Sequence, residues 1–283
     1  MRHEPAVAWG QYEIRPMTVR EFTNIRQLAM DTCGIDLADS KKDMVASRLD
    51  RTLRKLSLSS YEDYYLHVRE DASGSALREF IDTLTTNHTN FLREADHFAF
   101  LRDKFGRVSF RGRTIRIWSA ACATGEEPYS IAMTLLDQRR HELVPGFQIL
   151  ATDISTRALG LAQAAVYPNE KLRDLPLPWL TEFFEAGSGR WSGWKKVKQA
   201  VRDTIRFQRF NLLDNAAEFG TFDVIFCRNV MLYFARGTQE GMVNRMTERL
   251  NPGGFLLTGH TESLMEIRHR LTYVQPATYQ RVS

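Results

Sequence analysis

The sequence predicts an α/β fold, a doubly wound, mostly parallel sheet with an N-terminal helical domain and a small antiparallel β-subdomain. Apolar residues recur at helical spacing from about Val19 to Leu92. Later in the chain, short β-branched or aromatic runs alternate with helices, which implies parallel strands joined by right-handed crossovers. At 168–209 a glycine-rich turn and partial period-two spacing indicate an antiparallel insert. We expect a helical domain over 1–90 and an α/β domain over 91–283.

The helical domain is predicted by apolar residues three and four positions apart. The first helix shows this spacing at Phe22, Ile25, Leu28 and Ala29. The stretch LADS at 37–40 supplies a candidate N-cap for the helix that follows. The pattern continues in YEDYYLHV and ALREFIDTLTTN, at 61–68 and 76–87. Together these segments predict a helical bundle.

The helix predicted over 41–57, KKDMVASRLDRTLRKLS, carries six basic and two acidic side chains. At about 100° per residue, one of its faces is basic and presents Lys41, Arg48, Arg51 and Lys55. The neighbouring face is apolar and presents Val45, Leu49, Leu53 and Leu56. The apolar face needs a core. The basic face leaves two interpretations, a solvated surface or a docking surface for an acidic partner.

Buried strands and intervening helices make up the predicted sheet. The strands are TIRIWS (114–119), FQILATD (147–153), FDVIFCRN (222–229) and GFLLTG (254–259). The helices are PYSIAMTLLDQRR (128–140), STRALGLAQAA (155–165) and TQEGMVNRMTERL (238–250). Because ligands of such sheets bind at the carboxyl ends of the strands, the residues after each strand are site candidates.

Composition excludes several classes of protein. With 43% apolar and 25% charged residues, the chain resembles an ordinary globular protein and not a disordered or fibrous one. No apolar run approaches the roughly 20 residues that span a bilayer, and the first residues lack an apolar core of signal-peptide length. Cys33, Cys122 and Cys227 are too scattered for a disulfide framework or a metal cage. We therefore expect a cytoplasmic protein that binds no metal.

Four candidate ligand-binding segments follow the predicted strands. They are the turn SAACATGEE at 119–127, Asp153, NLLD at 211–214 after a strand that ends at Phe210, and CRN at 227–229. An acid placed like Asp153, about 28 residues after Gly125, accepts hydrogen bonds from ribose hydroxyls in nucleotide-binding sheets. The alternative for Asp153 is an N-cap of the next helix. The four segments together predict a nucleotide-like ligand.

The first turn does not suit a phosphate. It has one glycine and two adjacent acids, Glu126 and Glu127, whereas a phosphate loop presents N–H groups, a lysine and no acid. A carboxylate would repel phosphate by several kcal/mol in a partly desolvated site. S-adenosylmethionine has ribose and adenine without phosphate, and its sulfonium and ammonium groups are cationic. Alternatively, the acids only complement the helix dipole, worth about 0.3–1 kcal/mol. We expect Glu127 to bind the cofactor and Glu126 to tune the helix end.

Four longer segments resemble the CheR-type chemotaxis protein methyltransferases. They are WSAACATGEEPYSIAMTL, FCRNVMLYF, LNPGGFLLTGHTESL and TTNHTNFLREADHF. The resemblance implies a Rossmann-like fold that uses S-adenosyl-L-methionine and releases S-adenosyl-L-homocysteine. The implied reaction methylates glutamate side-chain carboxylates of methyl-accepting chemotaxis receptors, which gives glutamyl methyl esters in chemotaxis adaptation.

The resemblance also implies a set of site residues. Cofactor binding is implied for Asn87, Thr89, Arg93, Glu127, Asp153, Asn211, Leu212, Arg228 and Asn229. Catalytic positions nearest the transferred methyl group are implied for Arg93 and Tyr233. The cytoplasmic helical domain of the receptor is expected to dock on Lys41, Arg48, Arg51 and Lys55. Some family members bind a receptor C-terminal peptide at the β-subdomain. We expect a monomer with no nucleic-acid partner and no insertion into the membrane.

The implied chemistry needs no general base, because a glutamate carboxylate with a pKa near 4.3 is already ionised at neutral pH. We therefore expect His88, His97 and His260 to be structural. An anion and a cation combine into neutral products, so alignment and exclusion of water should supply the catalysis, and strong charge stabilisation should not.

Arg93 and Tyr233 are expected to hold the substrate carboxylate from opposite sides. The alternative for Arg93 is an ion pair with Glu94 or Asp96, and the alternative for Tyr233 is a core aromatic. A nucleic-acid methyltransferase is disfavoured, because RNVMLY is not a (D/N/S)PPY segment and the basic face lacks interleaved aromatics. A non-catalytic S-adenosylmethionine sensor is disfavoured by the presence of Arg93 and Tyr233.

Overall fold

The computed structural model describes residues 14–105, 113–139 and 146–282. The chain divides into two compact units between Leu84 and Thr85, a few residues before the predicted boundary. The first 13 residues of the predicted domain 1–90 lie outside the described part. Among the helices that are described, none has both the length and the apolarity that a membrane crossing requires.

Four α-helices form the described part of the first unit. They are α1 Val19–Cys33, α2 Lys42–Leu56, α3 Tyr61–Glu70 and α4 Ser75–Leu84. A capping box starts α1, because Thr18 Oγ1 accepts from the Glu21 N–H at 3.2 Å and the Glu21 carboxylate accepts from the Thr18 N–H at 2.8 Å. Apolar residues at helical spacing, such as Ile25, Leu49 and Phe80, are buried in the core.

The candidate N-cap in LADS is wrong. These residues lead into a 3-10 turn, Asp39–Lys41, and α2 begins at Lys42 without a side-chain hydrogen bond at its N-cap. Asp39 instead accepts from Arg26 of α1 at 2.8 Å. A short polar side chain can bond a neighbouring element instead of its own helix, and the local sequence does not distinguish the two.

The described part of the second unit contains ten strands. They are β1 Ile115–Ala120, β2 Phe147–Asp153, β3 Val166–Pro168, β4 Phe184–Ala186, β5 Trp194–Val197, β6 Ile205–Arg209, β7 Phe222–Cys227, β8 Leu250–Thr258, β9 Leu271–Gln275 and β10 Thr278–Arg281. Seven form one sheet in the order β6-β2-β1-β7-β8-β10-β9. The first five run parallel, and β10 and β9 are antiparallel. The predicted doubly wound, mostly parallel sheet is confirmed.

Helices cover both faces of this sheet. They are α5 Asp96–Phe105, α6 Glu126–Arg139, α7 Thr156–Ala164, α8 Leu177–Glu182, α9 Gln199–Arg202 and α10 Arg236–Arg249. All six residues of β7 are buried, as expected for a central parallel strand. Val224 and Phe226 belong to the apolar cluster that includes α6, and Ile225 and Cys227 to the cluster that includes α10. Successive side chains of the strand therefore fill two separate cores.

The insert is a three-stranded antiparallel sheet in the order β3-β5-β4. This sheet lies within 166–197 and is shorter than the predicted 168–209, because Ile205–Arg209 pairs in parallel with β2 as an edge of the main sheet. Period-two spacing indicates a strand but does not indicate which strand it pairs with.

Candidate active site

The turn after β1 packs tightly against the neighbouring strand and helix. The N–H groups of Ala121 and Cys122 donate to Thr152 O at 2.8 and 2.9 Å. Gly125 has a φ of +95°, and a Cβ there would lie 2.8 Å from both Ala162 Cβ and the Tyr167 hydroxyl. Only glycine fits this position, so its role is close packing and not phosphate binding.

The two adjacent glutamates of this turn point to different partners. Glu126 is fully buried; it accepts from Thr124 Oγ1 at 2.6 Å and forms a salt bridge with Lys171 of the insert. Glu127 accepts from Ser119 Oγ at 2.7 Å and from Arg228 Nη1 at 3.1 Å. Glu126 therefore ties the first turn to the insert, which exceeds the helix-end role that we expected. Glu127 belongs to the cluster at the strand ends.

Arg228 is the centre of that cluster, and its side chain is only 2% exposed. Besides Glu127, it donates to Glu94 Oε2 at 2.9 Å and to the main-chain oxygen of Arg93. Glu94 also accepts from Asn229 Nδ2 at 3.3 Å. Arg228 thus joins Glu127, Glu94 and the backbone of Arg93, and Glu94, which the sequence suggested only as an alternative partner of Arg93, also contacts Asn229.

The side chain of Arg93 does not make the predicted alternative ion pair. Glu94 is paired with Arg228, and Arg93 Nη1 donates to the His88 main-chain oxygen at 3.3 Å. The Arg93 guanidinium is partly exposed. Because Arg93 forms no salt bridge within the described residues, it can bind a ligand without breaking one.

Asp153 lies beside the first turn. Its Oδ2 accepts from the Ala123 N–H at 2.8 Å, and its Oδ1 accepts from the Ser155 N–H at 2.9 Å. The side-chain N-cap of α7 is Ser155, whose hydroxyl accepts from the Ala158 N–H, so Asp153 is not that cap. Asn87 Nδ2 contacts Ser155 Oγ at 3.4 Å, which places Asn87 next to the same strand end.

The remaining predicted residues are Thr89, Asn211, Leu212 and Tyr233. The Phe210 N–H donates to Asp153 O at 3.0 Å, so Asn211 follows directly after that contact, and Leu212 is buried. Thr89 and Tyr233 are half-buried, and within the described residues their side chains form no hydrogen bond with the Arg228 cluster. Because Tyr233 is partly exposed in a 3-10 turn, it is not a core aromatic.

Backbone strain concentrates at this edge of the sheet. Five non-glycine residues in its loops have left-handed φ angles: Leu92, Glu94, Ala121, Ala123 and Asn229. Each such residue costs of order 1–3 kcal/mol and persists only where the surroundings impose it. The hydrogen bonds described above supply that constraint.

Sequence reasoning missed a second acid, Glu262, which is buried and accepts hydrogen bonds from four backbone N–H groups. It follows β8, in the segment HTESL. The prediction considered polar residues after four strands and left out the end of β8. The same rule applied there would have found Glu262.

Buried negative charge exceeds buried positive charge at this edge. Glu94, Glu127, Asp153 and Glu262 are largely buried, and Arg228 is the one buried cation that contacts the cluster among the described residues. Burial raises the pKa of Glu127 and Glu262. Burial acts in the same direction on Glu94, but Arg228 and further hydrogen bonds bring the pKa of Glu94 below its usual value. The arrangement favours a cationic ligand and disfavours a phosphate.

His97 lies beside this network; neither ring nitrogen has a hydrogen-bond partner within the described residues, although Nδ1 lies 3.5 Å from Glu94 Oε2. Burial, followed by the charge of Arg228, lowers the pKa of His97 to about 3, so the ring is neutral at pH 7. Glu94, His97 and His260 place ligand-type atoms within 4.8 Å of one another. Arg228 already neutralises Glu94, however, and its charge disfavours a metal cation at that position.

Family models match both units of the chain. The model described as CheR methyltransferase, all-alpha domain, matches residues 20–85. The model described as CheR methyltransferase, SAM binding domain, matches residues 87–280.

Relatives share most of the chain. Chemotaxis protein methyltransferase 2 of Pseudomonas aeruginosa is 39% identical over 276 residues, which cover 97% of each chain. Chemotaxis protein methyltransferase of Escherichia coli is 41% identical over 253 residues, 89% of this chain and 87% of the relative. The protein of the same name from Borreliella burgdorferi is 33% identical over 277 residues, 94% of this chain and 95% of the relative.

Proposed function

The chain belongs to the CheR methyltransferase family, and on this premise we propose that it methylates glutamate side-chain carboxylates of methyl-accepting chemotaxis receptors. The family membership establishes an S-adenosylmethionine-dependent methyltransferase. The choice of acceptor is supported by the relatives, which are named chemotaxis protein methyltransferases. The main structural support for S-adenosylmethionine binding at the strand ends is that buried carboxylates outnumber buried cations there.

The residues at the strand ends fit S-adenosylmethionine. In this proposal Asp153 binds the ribose hydroxyls, and Glu127 lies near the ammonium group. Asn211 and Leu212 flank the adenine, since they follow the backbone contact between Phe210 and Asp153. The other proposed cofactor-binding residues are Asn87, Thr89, Arg93, Arg228 and Asn229. When bound, the cofactor supplies an electrophilic methyl group on a positively charged sulfur.

The chain's own residues supply alignment in this proposal. A receptor glutamate with an ordinary pKa near 4.3 arrives as a carboxylate, so no protein group has to remove a proton. Arg93, which is partly exposed, holds one carboxylate oxygen. Tyr233, also partly exposed, donates a neutral hydrogen bond from its hydroxyl. The other oxygen is left free to attack the methyl carbon.

The basic face of the helical unit is proposed to dock the acidic helical region of the receptor. Of its four predicted residues, Lys41 and Arg51 are exposed and form no salt bridge within the described residues. Arg48 donates to Leu84 O at 2.6 Å, and Lys55 pairs with Glu79 at 2.8 Å. We therefore propose that Lys41 and Arg51 contribute most to docking.

A receptor C-terminal peptide is proposed to bind the β-subdomain. Its sheet ends on two short edge strands, β3 and β4, and an extended peptide binds a sheet by adding a strand to such an edge. Trp191 and Trp194 are 50% and 40% exposed beside them, with Arg190 over the Trp191 ring. A synthetic peptide that copies the receptor C-terminus should change the tryptophan fluorescence, and a scrambled peptide should not. Equal responses to the two peptides would contradict this part of the proposal.

We also propose that the protein acts in the cytoplasm as a monomer. Cys33, Cys122 and Cys227 are buried and unpaired, which is typical of a reducing compartment. Sedimentation at several protein concentrations tests the monomer, since a dimer would show a concentration-dependent mass.

The reaction is tested with radiolabelled S-adenosylmethionine and membranes that contain chemoreceptors. We expect label on the receptor that alkali releases, because glutamyl methyl esters are base-labile. Receptors whose acceptor glutamates are replaced by alanine are the matched control and should stay unlabelled. Alkali-stable label, label on nucleic acid, or no label at all would overturn the proposal.

A further inference from the structure

We propose that Glu262 is a positioning residue for methyl transfer, because its carboxylate holds the loop that carries Arg228, Asn229 and Tyr233. This inference rests on the function proposed above. Glu262 itself touches neither substrate nor cofactor in the proposal. It acts through the backbone of the loop.

The carboxylate of Glu262 gathers four backbone donors from two strand ends. Oε2 accepts from the N–H groups of Asn229 at 2.6 Å and Gly259 at 2.8 Å. Oε1 accepts from Met231 at 2.8 Å and Leu232 at 3.3 Å. Glu262 is 6% exposed and forms no salt bridge within the described residues. The charge of Glu262 is thus balanced by backbone N–H dipoles. The positions of these four N–H groups therefore depend on the Glu262 side chain.

The loop after β7 is also held by Gln239, whose Nε2 donates to the main-chain oxygens of Met231 at 3.0 Å and Phe234 at 2.9 Å, but Glu262 is the side chain that accepts from its N–H groups. Asn229 has a left-handed φ of +56°, and the 3-10 turn Met231–Tyr233 receives no side-chain cap from Val230. Glu262 accepts from the first two N–H groups of that turn. Tyr233 is the third residue of the turn, so the Glu262 carboxylate fixes the backbone position from which the Tyr233 side chain extends.

Glu262 is in turn held firmly in place. Its main-chain oxygen accepts from Thr258 Oγ1 at 3.0 Å, and its N–H donates to Gly259 O at 2.8 Å. A Cβ on Gly259 would lie 2.7 Å from Glu262 Oε2 and 2.5 Å from Asn229 Nδ2. The close approach of the two strand ends therefore requires glycine at this position.

A matched control exists at the other end of the same strand. Asp223, near the start of β7, is 4% exposed and accepts from the Arg116 N–H at 2.9 Å and from Asn251 Nδ2 at 2.8 Å. It also forms a salt bridge with Arg113, which Glu262 does not match, and it braces β7 far along the strand from the loop after Cys227. A purely structural role predicts the same consequences for both acids.

The test compares Glu262→Gln with Asp223→Asn by unfolding midpoint, affinity for S-adenosylhomocysteine, and kcat and KM for receptor methylation. We expect similar shifts in midpoint for the two variants. Only Glu262→Gln should lower kcat, by about 100-fold, as expected for reacting groups displaced by about 1 Å. Its KM for receptor should change little, because docking lies elsewhere. Equal kcat values for the two folded variants would overturn the inference.

Two further variants keep the test decisive if Glu262→Gln does not fold. Glu262→Asp retains the charge on a shorter side chain and should restore part of kcat. Gly259→Ala displaces the carboxylate without removing it and should lower kcat with Glu262 intact. Full activity of Gly259→Ala would count against the inference.

Failure of the proposed function gives a different result. If the wild-type protein labels no receptor, affinity for S-adenosylhomocysteine becomes the readout, because the same loop carries Arg228 and Asn229. Weaker affinity in Glu262→Gln alone supports the positioning role. Unchanged affinity overturns it.

Discussion

The helical unit and the α/β unit use charged side chains in opposite ways. Apart from Glu21, which closes the capping box of α1, the charged residues described in the helical unit are not buried, and the Lys55–Glu79 salt bridge has side chains 66% and 40% exposed. In the α/β unit, Arg228 is 2% exposed and its partners Glu94 and Glu127 are 13% and 11% exposed. Exposed pairs contribute about 0–1 kcal/mol, whereas breaking a buried pair costs about 3–5 kcal/mol. The first unit therefore keeps its charges accessible to solvent, and the second uses buried charge to order the loops at its strand ends.

The largest effect should come from Arg228→Met, which breaks the buried network. It leaves Glu94 and Glu127 without their cation, so we expect the free energy of unfolding to fall by about 3–5 kcal/mol. Binding of S-adenosylhomocysteine should become undetectable by calorimetry. Urea unfolding measures the first effect.

The control for Arg228→Met is Arg236→Met, which removes one member of an exposed pair with Glu266, 60% and 77% exposed. We expect the free energy of unfolding to change by no more than about 1 kcal/mol. If the two variants lose the same stability, the contrast between buried and exposed charge does not hold.

Glu126→Gln should have the next largest effect on stability. It removes the charge that pairs with Lys171 and leaves a buried amide in the first turn. We therefore expect the free energy of unfolding to fall by about 1–3 kcal/mol. Affinity for S-adenosylmethionine should stay within about threefold, since Glu126 points to the insert. Thermal unfolding together with equilibrium dialysis checks both expectations, and a large loss of affinity would contradict the assignment.

Glu127→Gln is the neighbouring isosteric change and should act mainly on binding. It removes negative charge from the site, so we expect affinity for S-adenosylmethionine to fall about tenfold, or about 1.4 kcal/mol. The loss of stability should be smaller than for Arg228→Met, because Arg228 keeps Glu94 as its partner. Equal affinities for Glu126→Gln and Glu127→Gln would contradict the different roles of the two acids.

The smallest effect is expected on the surface of the helical unit. Reversing charge in a Lys41→Glu, Arg51→Glu double variant should slow receptor methylation by about fivefold at low salt, and less as salt rises. Stability should not change. The matched control is Arg20→Glu with Arg69→Glu, the same change in net charge on exposed residues outside α2. Equal slowing by both double variants would show that total charge, and not this face, controls docking.

Much of the site could be predicted because it follows a general rule about strand ends. Glu127, Asp153, Arg228 and Asn229 were found from their positions after predicted strands and from the resemblance. Their partners were not found. Glu94 is 134 residues from Arg228, and Lys171 is 45 residues from Glu126, so no local pattern connects them. The cap predicted in LADS was wrong for the same reason, because Asp39 bonds another helix.

The sequence by itself determined four parallel strands, the helices between them and the preference for a cationic, phosphate-free cofactor, but it did not predict β9 and β10 and it assigned β6 to the insert. These depend on hydrophobic periodicity and on residue types next to strands, which are local properties. Only the tertiary structure decided which acid meets which donor. Glu126 and Glu127 are neighbours in the chain, yet one points to the insert and the other to Arg228. Adjacent side chains on a helix point in different directions, and what each one meets depends on segments that folding brings from elsewhere.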